Sequence, residues 1–192
     1  MTFWEAVAAS TMAFWPLIPL FWIPLHLFPG LRKRLGLCYY PLIIAIWLAL
    51  AYLMFTKRAH AFLGRFEPPL LIALLGAVLF LVGLGLQIAT ALILGRRIIG
   101  LPHFKTTSKD LLVTEGPFAL SRHPTYLAHT LIFLGAFLLT GYWVVGLVAL
   151  LDFLVVQLVI IPLEERELLE RFGQTYKAYR EKTPRFLPRF RR

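Results

Sequence analysis

The chain has 192 residues, with 20 Lys and Arg against 10 Asp and Glu, a formal charge of +10 and a pI near 10.2. Apolar residues make up 59% and charged residues 16%, and the mean hydropathy is +0.73, whereas soluble domains carry about 25% charged residues. Lipid is the solvent this composition fits. The basic residues sit between apolar runs, so their excess reads as topogenic and nucleic acid is not an expected partner. Cys38 is the only cysteine, which excludes an intrachain disulfide and any thiolate-built zinc or iron–sulfur centre.

From the N-terminus, MTFWEAVAAS has no basic n-region and no small-residue cleavage site follows the first apolar stretch, so that stretch is expected to stay as a membrane helix. Five stretches are apolar enough to cross a membrane: about 7–29, 38–55, 69–94, 124–140 and 142–163. They predict an all-α fold, a polytopic bundle of about five transmembrane helices forming one membrane domain over 1–192. Pro16, Pro19 and Pro24 should kink the first. The fourth and fifth are joined only by Gly141 and its neighbours and should form a tight helical hairpin. The tail ELLERFGQTYKAYR repeats Leu168, Leu169, Phe172, Tyr176 and Tyr179 at helical spacing, which predicts an amphipathic helix on the inner surface or capping the bundle, ended by Pro184 and Pro188.

Loops rich in Lys and Arg stay in the cytoplasm. With the N-terminus outside, the loop 30–37 (Arg32, Lys33, Arg34), the loop 95–123 (Arg96, Arg97, Lys105, Lys109, Arg122) and the tail 164–192 (Arg166, Arg171, Lys177, Arg180, Lys182, Arg185, Arg189, Arg191, Arg192) are cytoplasmic, leaving Lys57, Arg58 and Arg65 outside. The expected localisation is therefore multi-pass integral membrane, with the C-terminus cytoplasmic. Chemistry with a water-soluble cofactor belongs to 95–127 and 164–192.

Two polar clusters meet across the hairpin. SRHPTY, residues 121–126, opens the fourth span, and LEERE, residues 163–167, closes the fifth on the same side. A tight hairpin places Arg122 and His123 near Glu164 and Glu165. Pro124 suits the first turn of a helix, leaving the amides of residues 125–127 pointing at the cytoplasm, where they attract anions. Alone, RHP also reads as a basic anchor at a membrane boundary, and the glutamates as the first solvated turn beyond a span. Opposite charges at matched depth suit a zwitterionic head group, with Glu164 or Glu165 taking its cation and Arg122 with the helix start its anion.

The run GPFALSRHPTYLAH, followed about 40 residues later by a double glutamate and then RFGQTYKAYREKTPRFLP, resembles the integral-membrane methyltransferases of the isoprenylcysteine carboxyl methyltransferase and phospholipid methyltransferase group. The likeness covers roughly residues 110–189 and implies an S-adenosylmethionine site at the cytoplasmic end of the last helices. On that resemblance the cofactor-binding residues are His123, Tyr126, Glu164 and Glu165, in a motif that includes Arg122 and Pro124. Ala128 departs from it, standing where the group usually has glycine, which tightens the room beside the cofactor. Gly83 and Gly85 resemble the GxG cofactor element of the phospholipid branch, although small residues at helix contacts are the other explanation.

The reaction implied is methyl transfer to a small hydrophobic or lipid-like acceptor arriving from the bilayer. For a carboxylate acceptor, Arg122 or Arg185 would hold the anion; for an amine or thiol, Glu165 or His123 would take the proton. Arg122 and Glu165 are thus the candidate catalytic residues. His129, Gln157 and Gln87 lie about 8–11 Å below the cytoplasmic ends of their helices and form one candidate cluster, structural or substrate-facing. Asp152 lies near the middle of the fifth span with no partner at its depth. His26 and His60 have nothing beside them that suggests metal ligation, and no metal is expected. Two rivals remain at this level: an NADPH-dependent sterol-type membrane reductase, whose C-terminal element is similar but carries an acidic residue soon after the tyrosine, where this chain has Leu127, Ala128 and His129; and a non-enzymatic membrane protein on the same fold.

Overall fold

A computed structural model of the chain describes residues 1–58, 62, 64–100 and 111–186, without the side chain of Arg96. His60, Lys105, Lys109, Pro188, Arg189, Arg191 and Arg192, named above, lie outside the described residues. Among the described residues every named element is helical, and one isolated bridge joins Arg65 to Tyr142.

Helix α1, Phe3–Phe14, starts on a capping box in which Thr2 Oγ1 accepts from the Glu5 amide and Glu5 accepts from the Thr2 amide. The first span breaks after Trp15, at Pro16, and resumes as α2, Leu17–Leu27. Beside the break, Trp47 Nε1 of α4, Tyr39–Thr56, donates to the Ala13 carbonyl at 2.8 Å. Pro24 stays inside α2, where Tyr39 donates to the Phe21 carbonyl at 2.5 Å. The basic loop predicted over 30–37 is instead the short helix α3, Pro29–Leu35, followed by a 3-10 turn, Gly36–Cys38; Pro29 pre-sets its first turn.

Helix α5, Leu70–Leu94, runs 25 residues into the 3-10 segment Gly95–Ile99. After α6, Pro117–Leu120, comes the hairpin: α7, Pro124–Thr140, and α8, Trp143–Val155. Gly141 makes the turn at φ +70, and a Cβ there would collide with the Phe66 carbonyl oxygen, so only glycine fits. A five-residue π-helical stretch, Val156–Ile160, leads into α9, Ile161–Lys182. Pro162, two residues beyond its end, has no N–H for the preceding turn, a local cause of widening.

Four helical stretches are long and apolar enough to cross a membrane: Phe3–Leu27, Pro29–Thr56, Leu70–Leu94 and Trp143–Lys182; Pro124–Thr140 is a shorter apolar helix. The last long stretch has 40 residues, about 60 Å at 1.5 Å per residue, twice the hydrocarbon thickness. Its apolar part reaches to about residue 163, and the charged part from Glu164 onward lies beyond the span. Leu71, Leu92 and Leu158 are 79%, 79% and 70% exposed, an outward apolar surface suited to lipid. The bundle is thus an integral membrane fold.

The tail was expected as one amphipathic helix. The structure kinks it at Gly173 (φ 52, ψ −121), a left-handed conformation that glycine adopts at little cost. The kink carries Tyr179 back to α6, where its hydroxyl donates to the Phe118 carbonyl at 2.6 Å.

Helices α5 and α7 approach through small residues. A Cβ on Gly83 would meet the Ala128 carbonyl and the Ile132 amide, each at 2.9 Å; one on Gly135 would meet the Phe80 amide at 2.6 Å and the Gly76 carbonyl at 2.7 Å. Close backbone approach of this kind is how helices pack where water supplies no driving force. Gly135→Leu is expected to lower stability by about 1–3 kcal/mol or more, since the obstacle is backbone that cannot move aside. A detergent-solubilised variant melting at the wild-type temperature would contradict this packing.

Candidate functional site

The start of α7 and the first turns of α9 meet at one end of the bundle. His123 caps α7, and its ring is buried between two carboxylates: Nε2 is 3.1 Å from Glu165 Oε1, and Nδ1 is 3.4 Å from Glu164 Oε2. Arg122 reaches Glu165 Oε1 through Nε at 3.2 Å and NH2 at 2.8 Å, and its NH1 donates to the carbonyls of Arg180 and Thr183 at 2.9 and 2.8 Å. Arg185 NH2 donates to Glu165 Oε2 at 3.2 Å. Two backbone bonds fasten the same strap, Arg122 N to Pro184 O at 2.9 Å and His123 N to Arg185 O at 3.3 Å, and the Ser121 hydroxyl donates to Arg185 O at 2.9 Å. Glu165 is therefore the hub that ties α7, α9 and the tail together.

Charge follows from these contacts. Burial works against a charged His123 ring, but the hydrogen bonds and negative charge of Glu164 and Glu165 outweigh it and raise its pKa above the usual histidine value. A carboxylate facing each ring nitrogen favours the protonated ring, in which both nitrogens are donors. Burial alone would raise the pKa of Glu165, yet His123 and Arg122 hold it down at about 2. Glu164 is likewise lowered: burial opposes this, and contacts with His123, the charge of His26 and the Tyr126 hydroxyl prevail.

A cleft opens beside this network, lined by Trp22, His26, His123, Tyr126, Glu164 and Glu167, with an apolar wall from Leu94, Leu111, Leu112 and Val113 and three arginines, Arg97, Arg122 and Arg171. Four rings cross it in a row. His26 stacks on Trp22 (5.8 Å, 15°), Trp22 meets Tyr126 edge-on (6.3 Å, 85°), and Tyr126 stacks on His123 (5.9 Å, 27°). Glu164 and Glu167 share one face of α9 by their i, i+3 spacing.

The structure thus brings Arg122, His123, Tyr126, Glu164 and Glu165 together. It does not bring Gly83 and Gly85 to the cleft: Gly83 packs on α7, and a Cβ on Gly85 would meet no neighbouring element within 4 Å. Ala128, expected to crowd the cofactor, is fully buried with its carbonyl against the Gly83 position. Of the amides expected to point outward at the start of α7, that of Leu127 donates to the His123 carbonyl at 3.1 Å. His129 Nδ1 and Gln87 Oε1 are buried without a hydrogen bond, and no bond joins either to Gln157 among the described residues; the His129 ring packs on Tyr126 and Phe133. Asp152 is 1% exposed, with both oxygens lacking a hydrogen bond. Among the described residues no three His, Cys, Asp or Glu side chains are grouped to hold a metal ion.

A second histidine–carboxylate pair went unread in the sequence. His26 Nδ1 lies 2.7 Å from Glu167 Oε2, and Arg32 NH1 3.3 Å from Glu167 Oε1. The signal was present: His26 ends the first span and Glu167 follows the fifth, opposite charges at matched depth, the reasoning that pairs RHP with the double glutamate.

A cobalt-zinc-cadmium resistance protein of Cupriavidus metallidurans is 36% identical over 80 residues, 42% of this chain and 37% of that protein. The protein-S-isoprenylcysteine O-methyltransferase of Schizosaccharomyces pombe is 36% identical over 84 residues, 44% of this chain and 36% of the enzyme. The matched stretch is thus little more than a third of each relative's length. No solved structure matches. The sequence model of the phospholipid methyltransferase family matches residues 71–175, more than half of the chain and including α5, the RHP element, the double glutamate and Glu167, and the chain belongs to that family.

Proposed function

We propose that the chain transfers a methyl group from S-adenosylmethionine to a small hydrophobic or lipid-like acceptor, in a cleft at the cytoplasmic face of the membrane. The observation that carries this reading is Glu164. Its Oε2 faces His123 Nδ1 at 3.4 Å, while the side chain stays 29% exposed at the cleft beside His123 and Tyr126. A carboxylate so placed has acceptor capacity for an ammonium or a hydroxyl group, both of which this cofactor carries.

The orientation rests on charge. Lys57, Arg58 and Arg65 lie on the α4–α5 side of the bundle, with Arg65 donating to the Thr140 carbonyl at the far end of α7; α3, Arg97, Arg122 and the cations of α9 lie at the cleft end. Positive charge retained inside makes the cleft end cytoplasmic.

Within the cleft, His123 and Glu164 hold the polar end of the ligand, and Tyr126 and Trp22 offer faces against its flat or cationic parts. The apolar wall of Leu94 and Leu111–Val113 keeps water from the reacting groups. When bound, the cofactor supplies a methyl group on a sulfonium, open to in-line displacement. Arg122 and Glu165, whose polar atoms are engaged within the protein, serve as positioning residues: they fix the His123 ring and the tail strap that closes the site.

Calorimetric titration of the detergent-purified chain tests this. S-adenosylhomocysteine is expected to bind, and Glu164→Ala to weaken it about 10–100-fold, the worth of a hydrogen bond to a charged group. Binding of NADPH without S-adenosylhomocysteine would overturn the reading in favour of a reductase, and binding of neither would leave a non-enzymatic protein.

A further inference from the structure

We infer that the short helix α3, at the cleft end of the bundle, is a docking surface for anionic phospholipid, whose headgroup is held by Lys33 and Arg34.

The chain around α3 joins two stretches apolar enough to cross a membrane, Phe3–Leu27 and Pro29–Thr56, so it lies where hydrocarbon gives way to water. It carries both kinds of side chain that this boundary takes. Leu27, Phe28, Leu31 and Leu37 are exposed, and Lys33 and Arg34 are exposed among them. Apolar and cationic side chains presented together on one segment suit a seat in the headgroup layer.

The three cations of α3 divide their work. Arg32 turns inward: its NH1 donates to the Leu25 carbonyl at 3.2 Å and to Glu167 Oε1 at 3.3 Å. Lys33 and Arg34 have no carboxylate partner among the described residues. The acidic side chains of the neighbouring stretch of α9 are engaged elsewhere, Glu167 with His26 at 2.7 Å and with Arg32, and Glu170 with Arg166 at 3.1 Å. A groove of about 290 Å³ runs beside α3, with Leu27, Pro29 and Leu163 as its apolar sides, which suits the upper part of an acyl chain.

Two positive charges at the depth of the lipid phosphates, with no protein counter-charge, attract a headgroup of net negative charge. A zwitterionic headgroup brings its own cation with its phosphate and gains less. A soluble phosphate would meet the two cations but leave the exposed apolar side chains and the groove unused; a lipid engages all of them. Arg32 fastens α3 to α9 through Glu167, which also lines the cleft. Lipid held on α3 therefore steadies a cleft wall and stabilises the folded chain.

The test places the full chain in nanodiscs of phosphatidylcholine alone and in nanodiscs that also contain phosphatidylglycerol. Phosphatidylglycerol is expected to raise the melting temperature by roughly 4–8 °C, the effect of two cations near a charged lipid surface. Native mass spectrometry of the protein in detergent doped with the same lipid should show phosphatidylglycerol adducts. The double variant Lys33→Gln, Arg34→Gln should melt with the wild type in phosphatidylcholine, and should lose most of the rise and of the adducts. Lys57→Gln with Arg58→Gln, beyond the far end of α4, should keep both. Three results would each overturn the inference: no rise in the wild type, an unchanged rise with unchanged adducts in the Lys33, Arg34 variant, or an equal loss in the Lys57, Arg58 variant, which would spread the attraction over every exposed cation. Should the Lys33, Arg34 variant already melt lower in phosphatidylcholine, the adducts decide. Neither readout involves the cofactor, so a chain that binds no S-adenosylhomocysteine is tested equally well.

Discussion

Glu165→Ala is expected to be the most destabilising single substitution at the cleft, by about 3–5 kcal/mol, the range for removing one partner of a buried ion pair. The side chains of Glu165, Arg122 and His123 are 11%, 10% and 2% exposed. Alanine leaves the guanidinium and the imidazolium facing each other with no counter-ion between them, and Arg185 loses its acceptor. The tail strap should then loosen, because Arg122 no longer holds the pose from which NH1 reaches the Arg180 and Thr183 carbonyls. Thermal unfolding in detergent should show the loss, and limited proteolysis should cut near residues 180–186 in the variant before the wild type. Glu165→Gln should fall between the two, since its amide oxygen still accepts from Arg122 while its NH2 confronts another donor. A Glu165→Ala protein with wild-type melting and an uncut tail would show that the hub carries no load.

The helices and the site differ in how readable they are. Helix α5 is legible because Leu70–Leu94 is an unbroken apolar run stopped by Gly95, and lipid demands that such a run satisfy its own backbone. The first span is legible as a kinked pass, but not the place of the break. Pro19 falls in the first turn of α2, where its missing donor costs little, and Pro24 is carried inside α2; Pro16 marks the break, beside the Ala13 carbonyl that takes the Trp47 donor. That donor comes from another helix, which periodicity does not show. The kink at Gly173 was hidden for a related reason: a single glycine in ERFGQTYK interrupts no pattern, and only the Tyr179 contact reveals why the chain turns.

At the site, the meeting of Arg122 and His123 with the double glutamate is legible from charge at matched depth in a hairpin. The division of labour between the glutamates is not, because both sit in the same turn and only the direction of each side chain separates the hub, Glu165, from the cleft carboxylate, Glu164. Gly83 was ambiguous for the opposite reason: a small residue suits both a cofactor and a helix contact, and the nearness of Ala128 and Ile132 makes the contact.

The second large effect is on stability against pH, where the network should give a plateau with two falling sides. Glu165 has its folded pKa lowered from 4.5 to about 2, so its contribution is present above 4.5 and is lost as pH falls toward 2. At about 1.4 kcal/mol per unit, that is a loss of roughly 3 kcal/mol. His123 is raised above 6.5, so its contribution is full below 6.5 and is lost as pH rises through its folded value, when the neutral ring keeps one donor for two carboxylates. The melting temperature in detergent should therefore be highest between about pH 4.5 and 6.5, and fall on both sides. Glu165→Gln should flatten the acid side, having no carboxyl to protonate, and His123→Asn should flatten the alkaline side. A wild-type melting temperature that keeps rising from pH 6 to pH 9 would mean that His123 is neutral in the folded protein, and would overturn the alkaline side of this profile.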